Sequence, residues 1–203
     1  MKKVLCFGDS NTWGFISGSD HERYDENVRY TKLLQKKLGS NFEVIEEGLP
    51  GRTCCTDDMK EYFGNKNGCN YFAQCIYSHS PLDYLTIMLG TNDLKFDFNK
   101  DAKDCAKALK NNYLVPLKQY FGGKIHKIPK IIIVAPSIIK DSYGKFQDAD
   151  KKSLQFENEY KKLAKECDCL FVSNQGLECG IDKIHLTAES HKLLSEKLAK
   201  IIK

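Results

Sequence analysis

A serine, a histidine and a carboxylate are the groups from which acyl transfer can be assembled, and the chain holds each in a setting worth examining. Ser10 stands in the stretch Lys2 to Gly14, where the apolar run Val4-Leu5-Cys6-Phe7 gives way to Gly8-Asp9-Ser10-Asn11-Thr12. A serine just past the carboxyl end of a parallel strand lies where open α/β sheets place their ligands, and the chain that follows can offer free backbone N–H groups. On that position Ser10 is a candidate nucleophile, although Gly-Asp-Ser is also ordinary turn composition.

A serine hydroxyl needs a base, and the base needs a carboxylate to fix its tautomer. Of the 5 histidines, His21 lies in a polar loop, His79 follows a helical stretch, His126 lies in a basic surface turn and His191 falls within the last helix. Each is most simply a solvent-facing or packing residue. His185 differs because Asp182 precedes it by three residues on a short loop, a spacing that lets the carboxylate reach Nδ1 and leaves Nε2 free to face a serine. The alternative is a loop aspartate followed by an exposed histidine. A developing oxyanion also needs donors. The Ser10 N–H, the Gly51 N–H and the Asn92 side-chain amide are candidates, against a conformational turn glycine at 51 and a self-bonding loop asparagine at 92.

These residues sit at the ends of predicted strands. Val4–Phe7 is the first strand. Phe42, Val44 and Ile45 form a second, followed by the Glu46–Thr53 turn. Tyr84–Leu89 is a third, halted by Gly90-Thr91-Asn92-Asp93, Lys130–Ala135 a fourth and Leu170–Val172 a fifth. Helical spacing covers Tyr30–Leu38 and Tyr71–Tyr77, and recurs in a helix capped by Asp101 that carries Ala102, Cys105, Ala106, Leu109 and Tyr113 and ends near Pro116. A further helix carries Leu154, Tyr160, Leu163 and Ala164, and the last carries Leu193, Leu194, Leu198 and Ile201. The stretches Ile16–Asn27, Cys54–Asn70 and Ser137–Asp150 read as loops, the first overhanging the site and the last a mobile wall. Strands alternating with helices predict βαβ units and a three-layer α/β/α sandwich, so the turns bearing Ser10, Gly51 and Asn92 share one sheet edge.

The 203 residues fit one domain, 1–203, and 41% apolar with 29% charged residues is globular composition without a disordered tract. The net charge of +4 comes from dispersed lysines, with no concentrated basic face, which argues against nucleic acid as a partner. No apolar run approaches the roughly 20 residues that span a bilayer, and the first strand begins too early for a signal peptide, so no membrane contact and a cytosolic location are expected. The 9 cysteines include no Cys-x-x-Cys pair and are read as small core residues or idle thiols. The chain has no Gly-x-Ser-x-Gly elbow, which disfavours the larger α/β-hydrolase family.

Phe7-Gly8-Asp9-Ser10-Asn11-Thr12-Trp13-Gly14, the Gly51 turn, Gly90-Thr91-Asn92-Asp93 and Asp182-x-x-His185 together resemble, in order and spacing, the four blocks of the SGNH hydrolases, or GDSL esterase/lipase family. FEVIEEGLPGRT and IMLGTND are similar in particular to its arylesterase/acyltransferase branch. The resemblance covers essentially the whole chain. It implies a flavodoxin-like sheet of five parallel strands, Ser10 as nucleophile, His185 as base, Asp182 as its partner, and Ser10, Gly51 and Asn92 as oxyanion donors. It further implies no metal and no organic cofactor, a small-molecule ester substrate and a possible homo-oligomer. Position 51 can carry another small residue in that branch. Trp13 and Arg52 adjoin the catalytic turns and are candidate substrate-binding residues, with packing the alternative for Trp13 and a surface position for Arg52. The expected reaction is hydrolysis of short-chain acyl esters through an acyl-enzyme, with acyl transfer to alcohols or peroxide a further capacity. The alternatives are a carbohydrate or natural-product O-deacetylase and, in another class, a non-catalytic flavodoxin-like binding module.

Overall fold

The computed structural model describes residues 1–60, 62, 64–121 and 127–203. The expected surface turn at His126 lies outside them. Five parallel strands form the central sheet: β1 (Lys2–Gly8), β2 (Phe42–Gly48), β3 (Tyr84–Met88), β4 (Lys130–Val134) and β5 (Leu170–Val172). Their order is β2-β1-β3-β4-β5, with Gly8 opposite both Gly48 and Met88. This is the flavodoxin-like order, whose switch point lies between β1 and β3.

The pleat divides the core into two layers. Leu5, Phe7, Leu85, Ile87, Ile131 and Ile133 point to one face and pack with α3 (Cys69–His79), α4 (Ala102–Leu109) and α7 (Phe156–Glu166). Val4, Cys6, Tyr84, Met88, Ile132 and Val134 point to the other, against α2 (Tyr30–Leu38) and α8 (Ala188–Ile201). A strand covered on both faces reads as a continuous apolar run, which is why β1, β3 and β4 were visible in the sequence.

The helices expected at Tyr30–Leu38 and after Asp101 form, and Asp101 and Asp104 cap the latter reciprocally. The second does not end near Pro116. A π turn at Lys110–Leu114 brings Val115 N–H to Lys110 O, and the helix resumes as α5 (Val115–Phe121). Pro116 therefore falls in a first turn, where its missing N–H costs least. Leu154 lies between the short α6 (Ala149–Ser153) and α7 and is 60% exposed, so the buried stripe of α7 starts instead at Phe156.

The described residues of the stretch expected to be a surface loop before a helix at Tyr71 include a short β pairing and buried positions. Met59–Lys60 pairs antiparallel with Gly64–Asn65, and Cys54 and Thr53 are buried. The helix begins two residues early, at Cys69, whose N–H donates to Asn67 Oδ1. Cys55 and Cys69 form a disulfide that closes this segment, an exception to the expectation of idle thiols. Among the other cysteines Cys6, Cys54, Cys75, Cys105 and Cys167 are buried thiols. No described helix is long and apolar enough to cross a membrane.

Candidate active site

Ser10 is the first residue of the four-residue α1 (Ser10–Trp13), directly after β1. Asp9 caps this turn, its Oδ1 accepting the Asn11 N–H at 2.9 Å. Gly8 admits no side chain, because a Cβ there would lie 2.0 Å from Thr12 Oγ1 and 2.9 Å from Met88 O. Burial pushes the Asp9 carboxyl up to about 6, against the opposing pull of the Asn11 N–H, His185 and Arg52.

The candidate base reaches Ser10 through a clamp that the sequence reading did not include. Asn11 Oδ1 accepts the Leu186 N–H at 2.8 Å and its Nδ2 donates to Ile184 O at 3.3 Å, so the residue after Ser10 holds the backbone on either side of His185. His185 Nε2 then lies 2.9 Å from Ser10 Oγ, and Nδ1 lies 2.7 Å from Asp182 Oδ2. Asp182 is itself fixed: Oδ1 accepts the N–H groups of Ile184 and His185, both at 2.9 Å, and Oδ2 accepts the Gly18 N–H at 3.2 Å. Burial opposes its ionisation, yet these bonds from His185 and Ile184 hold its carboxyl far below the usual range. Phe15, also absent from the sequence reading, stacks on the imidazole with centroids 4.2 Å apart and planes 22° apart. The Ile16–Asn27 segment touches the same loop, since Ser17 Oγ accepts the Asp182 N–H at 3.1 Å.

On the opposite side, Gly51 has φ +83°, a backbone conformation that favours glycine, although a Cβ would meet only the Lys66 side chain at 3.7 Å. Neither Ser10 N–H nor Gly51 N–H has an acceptor among the described residues. Asn92 Nδ2 donates to Arg52 O at 3.1 Å, which orients the amide and leaves its second hydrogen. Asp93, a further omission, braces the same turns by accepting the Cys54 N–H at 2.7 Å and the Thr56 hydroxyl at 2.9 Å.

Arg52 departs from the surface position that was its alternative reading. It is buried, not at the surface, and its Nη1 donates to Gly8 O at 2.8 Å and Glu47 O at 2.5 Å while the guanidinium lies 4.2 Å over the Phe7 ring. Two carbonyls and an aromatic face thus hold the guanidinium between the ends of β1 and β2. Trp13 is half-buried, with its ring 6.2 Å from that of Phe15 and the Arg23 guanidinium 5.2 Å over it.

Among the other described histidines, His79 lies 2.8 Å from Glu47, the fully buried His191 accepts the Tyr30 N–H, and His21 packs edge-on against Phe15 with centroids 5.8 Å apart. The Ser137–Asp150 segment is anchored through Ile139 and Ser153, and it encloses with Asp182, Lys183 and Ile184 a cavity of about 210 Å³. Side chains of metal-ligand type converge at Glu47, Cys75 and His79 and at Cys54, Asp93 and Cys105 among the described residues.

Residues 6–193 match the model of the GDSL-like lipase/acylhydrolase family. Among solved structures, Est24, a carbohydrate acetylesterase from Sinorhizobium meliloti, is 33% identical with a TM-score of 0.90, covering 100% of this chain and 98% of that one. The native aryl esterase of M. smegmatis is 32% identical with a TM-score of 0.87 over 100% and 98% of the two chains. A lipase/acylhydrolase from Enterococcus faecalis, 15% identical with a TM-score of 0.70 over 100% and 95%, shares the fold. A search of curated proteins found no match.

Proposed function

Because this chain belongs to the GDSL-like lipase/acylhydrolase family and is a carboxylic ester hydrolase, we propose that Ser10, His185 and Asp182 are its catalytic triad and that short-chain acyl esters are its substrates. The observation that carries this reading is the continuous line from Asp182 Oδ2 to His185 Nδ1 at 2.7 Å and from His185 Nε2 to Ser10 Oγ at 2.9 Å. His185 takes the hydroxyl proton as Oγ attacks the ester carbonyl, and Asp182 stabilises the imidazolium. The Ser10 and Gly51 N–H groups and the free hydrogen of the Asn92 amide receive the oxyanion. Collapse of the tetrahedral intermediate breaks the bond to the alkoxy oxygen, which leaves as the alcohol with the proton from His185. Water, activated by His185, then releases the acid and restores Ser10. An alcohol or peroxide in place of water would accept the acyl group, giving acyl transfer by the same steps.

Removal of an O-acetyl group from a carbohydrate is a second reading, favoured by the likeness to the Sinorhizobium carbohydrate acetylesterase over the whole chain. A panel of acyl lengths and alcohols separates the two. The central test is a short-chain aryl ester: Ser10→Ala lowers kcat by about 10⁴-fold or more, and undiminished turnover removes Ser10 from the mechanism. A binding module would instead show neither turnover nor labelling of the unmodified protein by a serine-directed phosphonate. A cytoplasmic location, without nucleic acid or membrane partners, and a homo-oligomeric assembly complete the proposal. Cell fractionation and light scattering test them.

A further inference from the structure

Cys75 and His79 are four residues apart on α3, so they project from one helix face. Glu47, next to last in β2, meets them there. A carboxylate oxygen of Glu47, Cys75 Sγ and a ring nitrogen of His79 all lie within 4.8 Å of one another, and Glu47 Oε1 is 2.8 Å from His79 Nε2. The thiol is 1% exposed, whereas the side chains of Glu47 and His79 keep 18% and 30% exposure, so the cluster has a closed floor and an open mouth.

We propose that Glu47, Cys75 and His79 form a binding site for one divalent cation of the zinc class. One sulfur, one imidazole nitrogen and one carboxylate oxygen make a set that suits a borderline-soft ion and not magnesium or calcium, which take oxygen ligands. Two ligands at i and i+4 on a helix, with a third from another element, is a recurrent way to present three corners of a tetrahedron. The open mouth leaves the fourth corner to water. Binding replaces the S–H bond by a bond from sulfur to the metal and releases that proton to solvent. His79 keeps its single N–H on Nδ1 and gives the Nε2 lone pair to the ion. The carboxylate and thiolate then balance the charge of the cation.

The second cluster, Cys54, Asp93 and Cys105, is a weaker host because both Asp93 oxygens are occupied, one by the Cys54 N–H and the other by the Thr56 hydroxyl. An ion there would have to break bonds that brace the Asn92 turn. At Glu47 both hydrogen bonds, from His79 and the Tyr71 hydroxyl, fall on Oε1, and an ion there ties the end of β2 to α3. The inference is independent of the esterase reading.

The full chain, freed of metal and kept under a phosphine reductant, is titrated with Co²⁺. The expected result is one equivalent bound per chain, with a thiolate-to-cobalt charge-transfer band that Zn²⁺ displaces. Cys75→Ser abolishes the band. His79→Gln, at the partly exposed end of α3, keeps the fold and weakens binding about tenfold or more, as does Glu47→Gln. Cys105→Ser leaves binding unchanged. Absence of stoichiometric binding by the unmodified chain overturns the proposal, and so does a Co²⁺ affinity that is unchanged in His79→Gln or a band that disappears in Cys105→Ser.

Discussion

The two flanks of Ser10 are built by different means. On the base side Asp182 and His185 are three residues apart, and the loop bonds largely to itself: Asp182 Oδ1 accepts two N–H groups of its own turn while Oδ2 faces the imidazole. Asn11 joins this ready-made unit to the Ser10 turn. On the side of Gly51 and Asn92 nothing is local. The Gly51 turn is held through Arg52, which reaches back to the ends of β1 and β2, and through Asn92 and Asp93, which arrive from the end of β3. A short-range motif can be moved as one piece by a single clamp, whereas a site assembled from three strand ends depends on buried polar groups, each costly to leave unpaired.

The largest expected effect after loss of the nucleophile is on the distributed side. Asn92→Ala removes the proposed oxyanion donor and leaves Arg52 O without its partner, so kcat for a short aryl ester should fall by about 10²- to 10³-fold while KM changes little. A fall in kcat/KM due to KM alone would take Asn92 out of the transition state.

Asp9 lies beneath both flanks, and its effect is on stability. Its folded pKa of about 6 exceeds the ordinary 3.8, so between these values the native state holds a proton that the unfolded chain has released, and stability falls as pH rises through that window. Asp9→Asn keeps an acceptor for the Asn11 N–H and removes the cost of ionisation. Its stability relative to the unmodified chain should therefore grow from little at pH 3.8 to on the order of 3 kcal/mol above pH 6, read by urea denaturation across that range. Asp182 has the opposite sign. With a depressed pKa it contributes stability at neutral pH that is lost as pH falls below the ordinary carboxylate range.

Asn11→Ala tests the single clamp. It severs two bonds to the His185 loop and should cost about 1–3 kcal/mol of stability together with a loss of kcat, because the imidazole is no longer held over Ser10. Intact activity in a destabilised variant would show that the loop finds its place without Asn11. The smallest effect falls on Gly51, where φ is +83° and a Cβ has room. Gly51→Ala should cost about 1–2 kcal/mol from backbone strain and little in kcat, since the N–H persists. An activity loss as large as that of Asn92→Ala would mean that the turn had moved.

Much of this molecule was legible in its residues. β1, β3 and β4 are apolar runs between Gly-, Pro- or Asp-bearing turns, α2 follows its helical spacing to Gly39, and Asp182-x-x-His185 is a local pattern whose geometry follows from its spacing. Where local cues conflicted with packing, packing decided. Pro116 did not stop its helix because a π turn preceded it, and within the described residues of the glycine- and asparagine-rich 54–70 stretch Cys54 is buried and Cys55 is bonded to Cys69.

Sequence alone therefore determined the strands, most of the helices and the sheet edge on which Ser10, Gly51 and Asn92 would meet, because strand and helix periodicities are short-range and the crossover rule is general. Only the tertiary structure decided that Asn11 carries His185 to Ser10, that Arg52 is buried beside the Gly51 turn, and that Glu47 meets Cys75 and His79. Those contacts join residues from separate elements, and the directions of their side chains depend on how the layers pack, which no local period encodes.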